Sequence, residues 1–359
     1  MRIRITAFLL ILVSSYSFGQ KIELFADLEN NKIDTELNFL TSFKGNVYFY
    51  EQTNGKNKGI YKTDGTEAGT TLVKNLYNFN YSTCTGIYAG TTKLLFSSIE
   101  TGNGGDNKLY VSDGTSEGTI LIHQNYTQKY SNFIENNGFI YFTIGTNALW
   151  KTDGTSVGTV LVKNNISASN FYSFNNTIYF VGHSSTTGYE LWKTDGTEAS
   201  TRMITDFAPG TENGILPTSK IVRHQNNLYY NNGYYIIKMD MMNEVSSTFL
   251  SLTGSFNQYK APKDILVKDN DLYITADGNI DGNLYKYNLT THTLTPLLVG
   301  ISGFLRGLVL FNRDIYCNNL DIVVKTDGTS VGTVFVSDYN NTHQYIFNST
   351  GKVFNSFLY

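Results

Sequence analysis

Aspartate followed by glycine recurs along this chain in one setting, at Asp64-Gly65, Asp113-Gly114, Asp153-Gly154, Asp195-Gly196 and Asp327-Gly328. Carboxylates at a fixed repeat position are the groups that would hold calcium or a substrate. A calcium loop, however, needs several oxygen ligands at alternating positions, and each copy offers one or two carboxylates. The spacing suits turn chemistry better. Asp accepts from backbone N–H groups two residues on, and Gly takes a positive φ without a Cβ clash. A second Gly follows at 69, 118, 158 and 332 and reads as a bulge or left-handed residue opening the return strand. Position 200 carries Ser instead, which at a positive φ should cost about 1 kcal/mol.

Other groups that do chemistry are dispersed. Asp106, Glu135, Glu212 and Asp264 stand outside the repeat and would supply a two-carboxylate glycosidase, but each reads first as a solvated loop residue. The five His, at 123, 183, 224, 292 and 343, show no metal-ligand spacing. There is no Gly-x-Ser-x-Gly elbow, P-loop or dinucleotide fingerprint. The expectation is therefore no catalytic residue, no metal and no cofactor. Trp150 and Trp192, with Tyr61 and Tyr110 at the equivalent place, would suit carbohydrate stacking; their fixed repeat position favours packing between sheets. A long insertion, 206–214, contains Phe207, Pro209, Glu212 and Asn213 and is the expected ligand loop, because loops carry function where strands carry fold.

The elements that position these residues are strands. Residues before each Asp alternate apolar and polar, as in Leu191-Trp192-Lys193-Thr194, and those after the turn are β-branched or apolar, as in Val160-Leu161-Val162. A second marker, an apolar-Tyr-aromatic strand such as Val47-Tyr48-Phe49 or Ile178-Tyr179-Phe180, occurs eight times at spacings of 38 to 50. Lys238-Met239-Asp240 and Lys286-Tyr287-Asn288 are copies that have lost the Asp-Gly turn. Each unit reads as four strands; in the fourth these are 170–174, 177–182, 189–194 and 201–206. A repeated four-stranded unit of this length predicts an all-β fold, a single β-propeller.

A strand near Leu24 resembles the last of a unit, and 343–348 with 352–359 resemble the first two. The expected ring has eight blades, seven complete and one composite closed by the N-terminal strand. Seven blades is the alternative. Residues 1–20 read as a signal peptide, with Arg2 and Arg4 before the apolar run from Ile5 to Val13, so the propeller domain is expected over 21–359. No other stretch is long and apolar enough to span a membrane. With charged residues at 16% and a net charge of −3, the chain lacks the basic footprint that nucleic acid needs. Cys84 and Cys317 fall on different strands of their units and are expected to stay unpaired.

The string Glu190-Leu191-Trp192-Lys193-Thr194-Asp195-Gly196-Thr197-Glu198-Ala199, with Lys-Thr-Asp-Gly-Thr at Lys62, Lys151 and Lys325, resembles the ELWxxDGTxxGT repeats of secreted, hyalin-like proteins from Bacteroidota and related bacteria. The resemblance covers most of the chain after residue 20. It implies an exported propeller but no single activity. Members commonly carry a C-terminal sorting domain, which is not visible here. The turn also echoes the Asp-box of sialidase-type propellers, but Arg202, Arg223, Arg306 and Arg313 are scattered over three units rather than clustered. The expected function is a non-enzymatic, monomeric binding or adhesion scaffold, secreted, periplasmic or at the cell surface, for an extracellular protein or glycan. The alternatives are a glycan-active hydrolase or lyase at the mouth of the central channel, and a fragment of a larger adhesin.

Overall fold

The computed structural model describes residues 36–52, 59–76, 83–100, 106–126, 128–252, 261–278, 281–319, 322–336, 353–354 and 357–358. No helix occurs among them. The chain divides into two compact units, Met1–Ile166 and Ser167–Tyr359, taken separately below. The first holds three antiparallel four-stranded sheets, spanning 36–75, 83–125 and 130–164. The second holds four, spanning 167–205, 222–250, 261–302 and 306–335. These are blades 1 to 7, and in each the four strands pair in chain order. Blade 4 consists of Ser167–Phe174, Thr177–Ser184, Thr187–Thr194 and Arg202–Thr205, which meets the expected ranges to within three residues. The leader, the strand expected near Leu24 and that expected over 343–348 lie outside the described residues. The strand expected over 352–359 is instead a pair of short strands, Val353–Phe354 and Phe357–Leu358, hydrogen-bonded to each other.

Successive residues of one strand enter different cores. In blade 2, Leu94 and Phe96 pack with Tyr48, Tyr50 and Ile60 of blade 1, while Leu95 packs with Ile140 and Phe142 of blade 3. In the second unit Leu228 and Tyr230 join Val181 and Leu191 of blade 4, whereas Tyr229 joins Leu272 and Ile274 of blade 6. Tyr273 in turn faces Ile315 and Cys317 of blade 7. Side chains alternate across a strand, so a continuous apolar run signals a sheet covered on both faces. Cys84 and Cys317 are buried free thiols, and burial pushes each up to about 12. The repeat aromatics meet the expectation in part: Tyr110 lies in the core shared by blades 1 and 2, and Trp150 packs against that shared by blades 2 and 3. Tyr61, Tyr110 and Trp192 pair across strands inside their own blades, with Phe49, Phe96 and Phe180 at ring separations of 5.8, 5.1 and 6.4 Å. Trp150 opposes Phe142 in register and also reaches His123 of blade 2, ring centres 4.8 Å apart.

The Asp-Gly turn is a closed network. In blade 3, Asp153 Oδ1 accepts the Thr155 N–H at 2.8 Å and its hydroxyl at 2.7 Å. The Thr155 hydroxyl oxygen accepts the Gly158 N–H at 2.9 Å, and Thr159 donates its hydroxyl to the Thr155 carbonyl at 2.6 Å. Thr152 Oγ1 lies 2.8 Å from Thr159 Oγ1 and accepts the Gly154 N–H at 2.9 Å. The same Asp–Thr bonds recur at Asp64, Asp113 and Asp327. The Thr hydroxyl first, and the backbone N–H second, hold these carboxyls below their ordinary range. The first glycine is left-handed in all five copies, with φ from 93° to 101°.

The second glycine is not left-handed, which removes one of its two expected readings. It is there for space: a Cβ on Gly69, Gly118, Gly158 or Gly332 would overlap the carboxylate of the turn's own Asp. Ser200 therefore carries no positive-φ penalty. Its hydroxyl donates to Asp195 Oδ1 and accepts the Asp195 N–H at 3.0 Å. The first glycine also docks the turn on the preceding blade. Gly114 faces the Tyr48 hydroxyl, Gly154 the Lys93 stem, and Gly328 the Tyr273 hydroxyl. Lys62 of blade 1 donates to the Gly114 carbonyl at 2.9 Å.

Blades 5 and 6 use a tighter turn, in which Asp240 and Asn288 accept the N–H two residues on and Glu244 and His292 are left-handed. The blade thus survives loss of the Asp-Gly motif.

At an ordinary φ, Gly→Ala stabilises by about 0.4–1 kcal/mol. Gly158→Ala is expected to do the reverse, costing about 1–3 kcal/mol, because the Cβ overlaps the Asp153 carboxylate, which must shift, and Ala brings no hydroxyl like that of Ser200 to bond it. Gly158→Ser, copying Ser200, is expected to recover at least half of that loss. Urea midpoints of the three proteins check both statements, and equal midpoints for Ala and Gly would remove the steric account.

Candidate functional site

An up-and-down sheet sends its second-to-third connection, and its exit to the next blade, to the end opposite the Asp-Gly turns. In the second unit this end carries the long loop 206–214 and a set of charged side chains on blades 5, 6 and 7.

The loop is held by Glu190, which is 1% exposed on the third strand of blade 4. The Phe207 and Ala208 N–H groups donate to its Oε2 and Oε1, each at 3.2 Å. The Gly188 N–H donates to the Gly210 carbonyl at 3.0 Å, and the Tyr189 N–H to Asn213 Oδ1 at 3.0 Å. Phe207 packs against the core shared by blades 4 and 5. Of the four residues expected to bind a ligand, Phe207 and Asn213 thus fasten the loop, while Pro209 and Glu212 face solvent. Burial pushes the Glu190 carboxyl up to about 7; the two backbone donors oppose the rise and Asp206 adds to it.

Asp264 is the centre of the charged set. It sits beside a register shift in the first strand of blade 6. Its Oδ2 accepts from Lys220 Nζ, ahead of blade 5, and from the Leu308 N–H of blade 7, both at 2.8 Å. Lys220 Nζ also donates to the Leu308 carbonyl at 2.9 Å. One carboxylate therefore ties three blades together. Next to it, Asp277 Oδ2 takes Arg306 Nη2 at 3.1 Å and faces Lys263 Nζ at 3.6 Å. Asn231 Nδ2 donates to the Lys263 carbonyl at 3.2 Å, and the Asn231 N–H to Ser219 Oγ at 2.9 Å. The Asp264 and Asp277 side chains are 11% and 9% exposed, whereas Lys220 and Arg306 are 43% and 44% exposed. Burying a carboxylate requires partners, and partly exposed cations supply them. An exposed aromatic ring stands against the set, Phe304, with the Arg306 guanidinium 5.7 Å from its centre; Tyr235, also exposed, lies on the connection after Asn231, its N–H held by Asn232 Oδ1.

The remaining residues singled out from sequence do not converge. Asp106 opposes Glu100 at a strand end, and Glu135 accepts from the Thr91 N–H across two blades of the first unit. Glu212 and Asp264 share no partner among the described residues. Glu100 is itself buried; burial pushes its carboxyl up, but bonds from Lys108, Tyr110 and Ser98 outweigh this and leave it lowered. His123 meets Tyr130, His183 stacks near Tyr189, His224 meets Asn270 and His292 meets Tyr287, while His343 lies outside the described residues. Among the described residues no group of three or more His, Cys, Asp or Glu side chains could hold a metal. Arg202 pairs with Glu244, Arg223 lies 3.8 Å from the centre of the Phe174 ring, and Arg306 joins the charged set. Lys220, Lys263 and Asp277 carry no motif. Their common signal is a charged residue at the start of a unit's first strand or the end of its second, in two or three consecutive units.

No protein-family model matches the chain, and no curated protein matches it in sequence. Solved structures do resemble it. The computationally designed Ika8 protein aligns with a TM-score of 0.53 at 10% identity, over 89% of this chain and 91% of its own. BamB from Moraxella catarrhalis gives 0.51 at 13% identity, over 89% of each chain. A prolyl endopeptidase gives 0.55 at 8% identity over 84% of this chain and 49% of that one, so this chain spans about half of the enzyme. At these identities the likeness shows the fold alone, a β-propeller of four-stranded blades.

Two consequences are measurable. A carboxyl raised in the folded state stabilises fully below its unfolded value, and that stability is lost as pH rises through the folded value. For Glu190 the window runs from the ordinary glutamate value of 4.5 to about 7, so stability should fall across it, and Glu190→Gln should flatten the fall. Chemical denaturation at pH 4.5, 6 and 7.5 reads this. Asp264→Ala strands the Leu308 N–H and is expected to cost about 1–3 kcal/mol at neutral pH, read from the same curves.

Proposed function

We propose that the protein is an exported, non-enzymatic β-propeller that binds a protein or glycan partner. The leader read at 1–20 supports export. The observation that carries the binding reading is how the reactive groups are used. The Asp side chains of the repeated turns are closed on their own Thr residues, and of the buried acids at the opposite end Glu190 is closed on backbone N–H groups, Asp264 on Lys220 and Leu308, and Asp277 Oδ2 on Arg306. What that end of the second unit offers to solvent is cations and aromatic rings on a rigid frame, the composition of a recognition surface.

Glu190 is the group that would favour a hydrolase, because its raised carboxyl matches a general acid at neutral pH. Its two oxygens, however, are bonded to Phe207 and Ala208 in a 1% exposed position, out of reach of a substrate. It serves the loop.

The purified chain, screened against an oligosaccharide panel and an envelope extract, is expected to retain a partner without altering it. Turnover of any panel glycan, abolished by substituting an acid of this face, would overturn the reading.

A further inference from the structure

Lys220, Lys263 and Arg306 come from the first-strand region of three consecutive blades, and internal bonds do not exhaust them. Lys220 uses two of its three N–H donors, on Asp264 and Leu308. Arg306 donates one hydrogen bond, to Asp277, from a guanidinium with five donors. Among the described residues Lys263 faces Asp277 as an ion pair at 3.6 Å, without a hydrogen bond. The three are linked through shared partners: Arg306 and Lys263 meet at one Asp277 oxygen, and Lys220 bonds the residue that follows Lys263. Three cations against Asp264 and Asp277 leave one positive charge, on a chain whose net charge is −3. A clamp between blades needs only the buried carboxylates neutralised. It does not need a surplus cation, nor side chains that are 43% and 44% exposed.

We propose that this set binds an acidic polysaccharide, a chain of sugars bearing carboxylate or sulfate groups. The proposal rests on the binding reading above and names its ligand class. The free donors of Lys220 and Arg306 fit the anionic group, since guanidinium presents a planar fork to carboxylate and sulfate alike. Phe304 and Tyr235, 45% and 38% exposed, offer flat apolar faces on which a sugar ring lies through its C–H bonds. Phe304 stands against Arg306, and Tyr235 sits on the connection that follows Asn231, whose amide is bonded to the Lys263 carbonyl. A ring face beside a carboxylate receptor selects a sugar acid over an acidic peptide, which brings charge without a ring to stack.

The test is titration of the full chain with a polyuronate oligosaccharide, a sulfated oligosaccharide, a neutral oligosaccharide of equal length and a polyglutamate peptide. At least one acidic oligosaccharide is expected to bind about tenfold or more tighter than the neutral one, and to weaken as salt rises past about 0.1 M. The arm that binds tells carboxylate from sulfate. Lys263→Gln, which touches no hydrogen bond of the clamp, is expected to lose several-fold. Lys263→Gln combined with Arg306→Gln should lose tenfold or more, with thermal melts confirming that both variants fold. Failure of both acidic sugars to bind, polyglutamate binding as tightly as they do, or full affinity in a folded double variant would overturn the site. Capture from envelope extract separates this failure from that of the parent reading. A partner retained by wild type and double variant alike leaves a binding protein without this site, and no partner for either removes both.

Discussion

A four-stranded sheet with apolar side chains on both faces cannot cover either face by itself. Leu94 and Leu95 are neighbours in one strand, yet they lie in cores shared with different blades. The same is true of Tyr229 and Tyr230. Every other feature of the two units follows from this. Strands read as apolar runs rather than clean alternation, and each blade needs its neighbour at a fixed distance and register.

In blades 2, 3 and 7 the Asp-Gly turn docks on the preceding blade. Its hydrogen bonds are exposed around Asp153 and Thr155 and buried at Thr152, and together they fix its shape. The shape leaves two places without room for a Cβ. At one, the second glycine admits the carboxylate of its own Asp; at the other, the first glycine admits a Tyr hydroxyl or Lys stem from the preceding blade. Blades 5 and 6 reach the same pairing with a shorter turn, which shows that the sheet, not the motif, is the conserved unit within this chain.

The opposite end is organised by buried carboxylates. Glu190 gathers a loop through backbone N–H groups, and Asp264 gathers three blades through Lys220 and Leu308. A buried carboxylate must be paired, and the cations that pair it stand partly in water. That is how a structural clamp also becomes a charged surface.

Sequence alone determined the strands, their grouping in fours and the turn chemistry of Asp64, Asp113, Asp153, Asp195 and Asp327, because these depend on contacts within about ten residues. It misread Gly69, Gly118, Gly158 and Gly332, since a glycine kept for space looks like one kept for φ until the neighbouring carboxylate is placed. It singled out the loop of Phe207 and Asn213 but not their part in fastening it, because an insertion shows its length but not which residues tie it down. Lys220, Asp264, Asp277 and Arg306 were invisible as a group. They are up to 86 residues apart, and only the stacking of successive blades, a packing of apolar faces that says nothing in its own sequence about charge, brings them to the same carboxylates.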